Sequence, residues 1–383
     1  MRLETFSIEI SDAVLADLAR RLDATRWPDE LENAGWDFGS NLAYMRSLAE
    51  YWRHGYDWRR QEAALNQLPQ FRISLDGLKI HFVHARGKGR APLPLIVTHG
   101  WPGSFVEMLK LIPRLTDPAA HGASDEDAFD VIVPSLPGYG FSDHPQGRGM
   151  DPQKIAELWA RLMKELGYER FGAQGGDWGS TVSIALGLDH ADRMIGIHLN
   201  YIAGRFLLGG TLNARPADNV APAYLEQLRA WWDAEGGYGH EQSTRPQTLG
   251  YGLTDSPVGL AAWIVEKFRA WSDCAGDVES VFTRDELLTN IMIYWVTKTA
   301  TSSMRLYFES RERPLRLSPT NRVAPPVGLA LFPKEIPWPP RELAERGLNI
   351  VRWAPMPKGG HFAALEQPEL LAKDVREFFR PLR

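Results

Sequence analysis

The chain has 383 residues, 44% of them hydrophobic and 24% charged, with a formal net charge of −5. That length can bury a large core, and the mild negative balance offers no basic field for nucleic acid. The single Cys274 excludes an internal disulfide and a cysteine-rich metal site, and it suits a reducing, cytoplasmic compartment. The start, Met1-Arg2-Leu3-Glu4, has no signal-peptide character, and every apolar run falls short of the roughly 20 residues of a membrane span. A soluble protein with no membrane partner is therefore expected.

In chain order, Ser11 reads as the N-cap of a helix carrying Val14, Leu15, Leu18 and Leu22 on one face. Arg26-Trp27-Pro28 should end that helix, because the residue before proline is pushed out of the helical region. A second helical stretch is predicted from Leu42 to Leu65. Phe71 to Leu75 and Ile80 to Val83 flank Asp76-Gly77, a strong hairpin signal. From Leu93 the pattern changes. Leu95 to Thr98 and Val131 to Val133 are continuous apolar runs of the kind buried on both faces of a sheet. Helix-like segments such as Pro152 to Leu166 separate them, and Phe171 to Gly175 and Met194 to Leu199 continue the series. Strands alternating with helices predict an α/β fold with a mostly parallel, doubly wound sheet. The acidic Asp125-Glu126-Asp127 patch reads as a solvated loop.

Between Tyr201 and about Thr320 the pattern is helical and aromatic, as in an inserted α-helical unit. Strand-like runs return at Val327 to Phe332 and Asn349 to Trp353, and a final helix spans about Glu369 to Phe379. The expected organisation is an amino-terminal arm leading into the first strands (1–90), a first core part (91–200), a helical cap (201–320) and a second core part (321–383). No internal repeat or low-complexity tract is visible.

The most informative motif is Gly175-Gly176-Asp177-Trp178-Gly179, between a strand-like and a helix-like run. Small residues on both sides of Asp177 suit a sharp strand-to-helix elbow, which presents a nucleophile. A carboxylate there would attack carbon and form an alkyl ester, which points to epoxides or alkyl halides. Taken alone, a Gly-Gly-Asp turn is more often loop chemistry. His99-Gly100-Trp101-Pro102-Gly103 follows an earlier strand, where α/β-hydrolases place one oxyanion donor; the residue after the nucleophile supplies the other. Those donors would be the backbone N–H groups of Trp101 and Trp178. His361, within Gly359-Gly360-His361-Phe362, is the one of ten histidines between a late strand and the last helix. An acid should orient it. Glu335, after the Val327 to Phe332 strand, has the right chain position; Asp151, Asp189, Glu342 and Glu345 are its rivals.

Taken together these pieces resemble the microsomal-type epoxide hydrolases, a branch of the α/β-hydrolase fold, nearly end to end. The arm carries Arg21-Leu22-Asp23-Ala24-Thr25-Arg26-Trp27-Pro28 and Tyr56-Asp57-Trp58-Arg59. The core carries His99 to Ser104, Pro137-Gly138-Tyr139-Gly140-Phe141-Ser142, Gly175 to Gly179 and Gly359 to Ala364. The resemblance further implies that Tyr238, in Gly237-Tyr238-Gly239-His240, and Tyr307, in Ser303-Met304-Arg305-Leu306-Tyr307, grip the epoxide oxygen. It also strengthens Glu335, in Phe332-Pro333-Lys334-Glu335, as the acid. Mammalian members carry a membrane-anchoring helix ahead of the arm, and this sequence begins at the arm, so membrane attachment is not carried over.

The expected reaction is epoxide plus water to a vicinal diol through an ester on Asp177, with His361 and Glu335 activating water. No metal or organic cofactor is needed. Two rivals stay open. A haloalkane dehalogenase would need halide donors, for which Trp101, Trp178 or Asn200 could serve, and a catalytically idle hydrolase fold could act as a binding protein. The arm is expected to wrap the cap or to support a homodimer. Assigning Trp231, Trp263 or Trp271 to a pocket rather than to packing is beyond the sequence.

Overall fold

The structure, a computed structural model, describes residues 3–208 and 220–383. Its strands are β1 (Glu4–Thr5), β2 (Gln70–Leu75), β3 (Leu78–Ala85), β4 (Leu93–Thr98), β5 (Phe129–Pro134), β6 (Phe171–Gly175), β7 (Met194–Leu199), β8 (Val323–Leu331) and β9 (Leu348–Pro355). Among the described residues they form one sheet in the order β1-β2-β3-β5-β4-β6-β7-β8-β9. The pairs from β5 through β9 are parallel, and β1, β2 and β3 add an antiparallel edge. This is the expected α/β-hydrolase arrangement. Every residue of β5 and β6 is buried, Asp130 and Gln174 included, as expected of strands whose two faces are both covered by helices. Helices Pro152–Glu165 and Asp177–Asp189 pack on one another, and Leu111–Thr116 packs against Pro368–Phe379.

The strand order reverses around β4: the chain passes from β4 to β5 on one side, then crosses back to β6 on the other. A crevice opens outside the carboxyl ends of strands at such a switch point. The ends of β4 and β6 lie there, followed by His99 and Asp177. Over that crevice, between β7 and β8, sit helices Pro222–Glu235, Gly237–Thr244, Pro246–Asp255, Pro257–Trp271, Arg284–Thr297 and Ala300–Glu312.

The hairpin forms where expected, with Asp76 at φ 49° and Gly77 at φ 81° closing a two-residue turn. Several expectations need correction. The stretch from Leu42 to Leu65 is two helices, Leu42–His54 and Trp58–Leu65, because Gly55 ends the first and the Asp57 carboxylate caps the second by accepting from the Arg60 amide. The first helix stops at Asp23, ahead of Arg26-Trp27-Pro28, and the Ser11 side chain makes no capping bond. Asp127 is buried rather than solvated, because Arg380 Nε donates to it at 3.0 Å. Strand β8 begins at Val323, earlier than expected; a register shift between Val323 and Pro326 accommodates its prolines.

The amino-terminal helices lie against those above the crevice. Tyr51 Oη donates to Asp285 Oδ1 at 2.8 Å, Ser40 Oγ to the Ala262 carbonyl at 2.7 Å, and Arg21 Nη1 to Asp255 Oδ1 at 2.8 Å. Among the described residues no helix is long and apolar enough to cross a membrane.

Candidate active site

Asp177 opens the helix Asp177–Asp189 directly after β6, with φ at 47°. A positive φ at a non-glycine residue is strained and persists only where the surroundings enforce it. Here the neighbours leave no alternative. A Cβ at Gly179 would lie 1.8 Å from the Thr98 carbonyl oxygen, and one at Gly175 would lie 2.2 Å from the Gly179 backbone. Glycines at these positions let β4, β6 and the helix crowd together, and the crowding forces the turn that exposes Asp177.

The loop after β4 meets this carboxylate. The Trp101 amide donates to Asp177 Oδ1 at 2.8 Å, and a Cβ on Gly100 would lie 2.3 Å from the same oxygen. The Trp178 amide lies in the first turn of the helix, where N–H groups face outward. The loop itself is tightly held. His99 Nε2 accepts from the Leu136 amide at 3.2 Å, which leaves Nδ1–H to donate to the Gly100 carbonyl at 3.0 Å. Burial depresses the His99 pKa to about 4, so the ring is neutral and structural. From helix Arg284–Thr297, Asn290 Nδ2 donates to the Pro102 carbonyl at 2.8 Å and Tyr294 Oη to the Gly103 carbonyl at 2.6 Å.

His361 arrives from the other side. Its Nδ1–H donates to Glu335 Oε1 at 2.7 Å, and its Nε2 lies 3.5 Å from Asp177 Oδ2. Glu335 follows β8 and is positioned by its neighbours: the Lys334 amide donates to the Gly359 carbonyl at 3.0 Å, and the Ile336 amide donates to Glu335 Oε1 at 2.7 Å. Burial alone would lower the His361 pKa, yet the flanking carboxylates of Glu335 and Asp177 raise it well above the usual range. Asp151, the rival acid, caps the helix Pro152–Glu165 by accepting from the Lys154 amide at 2.9 Å and also pairs with Arg313.

The two tyrosines face this group from above. Tyr238, near the start of helix Gly237–Thr244, stacks on the Trp101 ring with centroids 5.1 Å apart and planes 8° from parallel. Tyr307, on helix Ala300–Glu312, meets Tyr238 edge-on at 5.8 Å and Trp178 at 4.7 Å. Burial raises the Tyr307 pKa well above its usual value, with Tyr238 and Asp177 adding to the effect. That phenol therefore stays protonated and can serve as a donor.

The structure thus brings Asp177, His361, Glu335, Tyr238, Tyr307, Trp101 and Trp178 into one cluster. It also assigns aromatics that the sequence left open and adds a residue, Glu366, that sequence reasoning missed. Trp271 touches both Tyr238 (4.9 Å) and His361 (5.2 Å), and Trp231 packs behind it at 6.2 Å. The Trp263 indole N–H donates to Gln242 Oε1 at 3.1 Å, on the helix that carries Tyr238. Glu366 accepts from the backbone amides of Asp273 (2.8 Å), Gly360 (2.9 Å) and Phe362 (2.9 Å), pinning both sides of the His361 loop. Burial pushes its pKa up to about 7 against those three donors. Its only sequence signal was its closeness to His361. Asn200, a candidate halide donor, lies beneath the elbow, where its Oδ1 accepts from Gln174 Nε2 at 2.8 Å. Among the described residues no group of three or more His, Cys, Asp or Glu side chains could hold a metal.

Known proteins share this architecture. The family model "Epoxide hydrolase N terminus" matches residues 3–108, and the α/β-hydrolase fold model matches residues 94–235. A putative epoxide hydrolase of Stigmatella aurantiaca is 48% identical over 99% of this chain and 85% of its own. Epoxide hydrolase 1 of Oryctolagus cuniculus is 40% identical over 98% of this chain and 88% of its own. The crystal structure of juvenile hormone epoxide hydrolase from the silkworm Bombyx mori superposes with a TM-score of 0.86 at 33% identity, covering 100% of this chain and 94% of that one. Aspergillus niger epoxide hydrolase gives 0.87 at 30% identity, covering 100% and 97%. Similarity of this extent, from the amino-terminal arm through the sheet to the last helix, shows that the chain belongs to the epoxide hydrolase family of the α/β-hydrolase fold.

Proposed function

We propose that this protein converts an epoxide and water to a vicinal diol through a hydroxyalkyl ester on Asp177. The observation that carries the reading is the facing arrangement of one carboxylate and two phenols about Trp101, whose amide holds Asp177 and whose ring stacks on Tyr238. In the first step Asp177 Oδ2 attacks an epoxide carbon, the ring C–O bond breaks, and the oxygen takes a proton from the Tyr238–Tyr307 pair. The other oxygen, Oδ1, becomes the ester carbonyl. In the second step His361 Nε2 takes a proton from water, whose oxygen attacks Asp177 Cγ. The oxyanion forms on Oδ1, between the amides of Trp101 and Trp178, where such donors are strongest because they are already oriented. Collapse releases the diol oxygen, which takes the proton from His361, and the carboxyl proton restores the tyrosine pair.

The electrostatics suit two steps. While Asp177 is charged it helps hold His361 protonated. Esterification cancels that charge, so the imidazole releases its proton to solvent before it acts as the base, and the regenerated Asp177 carboxylate draws a proton back onto it at the end of the cycle. Glu335 remains to orient the ring and stabilise the imidazolium. The lone cysteine suits a reducing compartment, and we place the enzyme in the cytoplasm.

Intact-protein mass spectrometry of His361→Ala, incubated with epoxide and chloroalkane panels, tests the reading. Loss of the base should leave alkylation and block hydrolysis, so an adduct with the mass of the whole epoxide should accumulate on Asp177. An adduct from a chloroalkane alone, lacking the halide, would reassign the protein as a dehalogenase. No adduct from a panel that the wild-type protein hydrolyses would reject Asp177 as nucleophile.

A further inference from the structure

Beneath Asp177 lies a cavity of about 20 Å³, bordered by Gly100, Glu107, Gln174, Asp177, Asn200 and His361. A polar cavity above roughly 10–15 Å³ holds a water when two or more partners surround it. Two buried oxygens on its border, Glu107 Oε1 and Gln174 Oε1, have no hydrogen-bond partner among the described residues. Such groups are costly unless they are used. Glu107 sits on the short turn Phe105–Met108 that follows the Trp101 loop, and its side chain folds back against that loop. A Cβ on Gly103 would lie 1.4 Å from Glu107 Oε1, so the carboxyl occupies the space that any residue-103 side chain would fill. This glycine makes room for a carboxyl borrowed from one turn later.

We propose that Glu107 positions the water that hydrolyses the Asp177 ester. This inference rests on the ester mechanism above and adds a residue to its second step. One hydrogen of the water is given to His361 Nε2, the other is accepted by the Glu107 carboxyl, and a lone pair then points at Asp177 Cγ. The oxygen–hydrogen bond toward His361 breaks as the new carbon–oxygen bond forms, and Glu107 is unchanged at the end. Burial raises the Glu107 pKa to about 8, against the pull of the nearby His361 charge. A largely neutral carboxyl still accepts through its carbonyl oxygen, and it does not compete with His361 for the proton. Gln174 Oε1, also on the cavity border, offers a second acceptor.

The test separates the two half-reactions. With a terminal aryl epoxide such as styrene oxide, kcat/KM reports ester formation and kcat reports hydrolysis when hydrolysis limits turnover. Glu107→Leu keeps the packing and removes the acceptor. It should lower kcat about tenfold or more with kcat/KM unchanged, as expected when a reactant is misplaced by a fraction of an ångström. Quenched samples should show the ester accumulating. Glu107→Gln retains a carbonyl acceptor and should recover most of kcat. Gly103→Ala, which pushes the carboxyl away, should behave like Glu107→Leu. The proposal is overturned if Glu107→Leu leaves kcat unchanged, if kcat and kcat/KM fall together, or if Glu107→Gln is as slow as Glu107→Leu. A wild-type protein that neither hydrolyses epoxides nor forms an adduct would instead overturn the ester mechanism, and this inference with it.

Discussion

The two halves of the site are built by different physics. Asp177, Glu335 and His361 stand at the ends of sheet strands and are held by directional bonds: 2.8 Å from the Trp101 amide, 2.7 Å between His361 and Glu335, and three amides on Glu366. Tyr238 and Tyr307 hang from helices above, oriented by ring contacts with Trp101, Trp178 and Trp271. Hydrogen bonds weaken steeply with angle and distance, whereas aromatic packing tolerates a broader range of offsets. In the proposed reaction the carboxylate and the imidazole must meet an atom within tenths of an ångström, and the phenols must follow an oxygen that moves as a ring opens.

Perturbing each half should therefore give distinct signatures. The largest effect is expected from Asp177→Asn, which should slow ester formation by about 10⁴-fold or more; adduct formation in a sequence-verified, non-deamidated sample checks this. Next come the phenols. Removing both hydroxyls should cost about 10²–10⁴-fold in ester formation, the usual range for lost proton transfer. Tyr238→Phe and Tyr307→Phe should each cost less, because one donor remains. Stopped-flow tryptophan fluorescence reads that step, since Trp101 and Trp178 border the reacting atoms. A double variant that alkylates at the normal rate would remove the cap from the chemistry.

Glu366→Ala attacks the sheet-borne half indirectly. It leaves three amides without their acceptor, two of them on the buried residues Gly360 and Phe362, at up to about 1–3 kcal/mol each, so it should lower Tm and slow hydrolysis more than ester formation. Equal losses in both steps would mean that Glu366 shapes the whole crevice rather than the His361 loop.

The smallest expected effect is on the pH dependence of stability. Glu107 keeps its proton up to about pH 8 in the folded chain, against 4.5 for the free side chain. Between these values the folded state binds more protons than the unfolded one, so stability falls as pH rises through the window. Glu107→Gln should flatten that decline, by a few kcal/mol at most on the order set by about 1.4 kcal/mol per pKa unit. Denaturant midpoints at pH 5 and pH 8 measure it, and an undiminished slope in the variant would assign the decline to other groups.

Much of this arrangement was legible in one dimension because it is local. Apolar runs marked β4 to β7, Asp76-Gly77 marked the hairpin, and the glycines around Asp177 marked the elbow. Each depends on backbone sterics or on burial over a few residues. The same logic failed where long-range contacts override local character. Asp127 looked solvated until Arg380, far along the chain, buried it. The prolines in β8 hid its first residues, which a register shift lets into the strand. The two tyrosines were reached through family resemblance, since nothing in their spacing distinguishes them from other tyrosines.

By itself the sequence determined that an α/β chain would present a carboxylate on an elbow, with a late histidine and an acid following it in chain order. Steric crowding at small residues and the order of strands suffice for that. Only the tertiary structure decided that Glu335 rather than Asp151 meets His361, that Trp271 touches both Tyr238 and His361, and that Glu107 folds back into the space left by Gly103. These depend on which strand ends converge at the switch point and on how side chains share the volume there, and neither is encoded in any single stretch of residues.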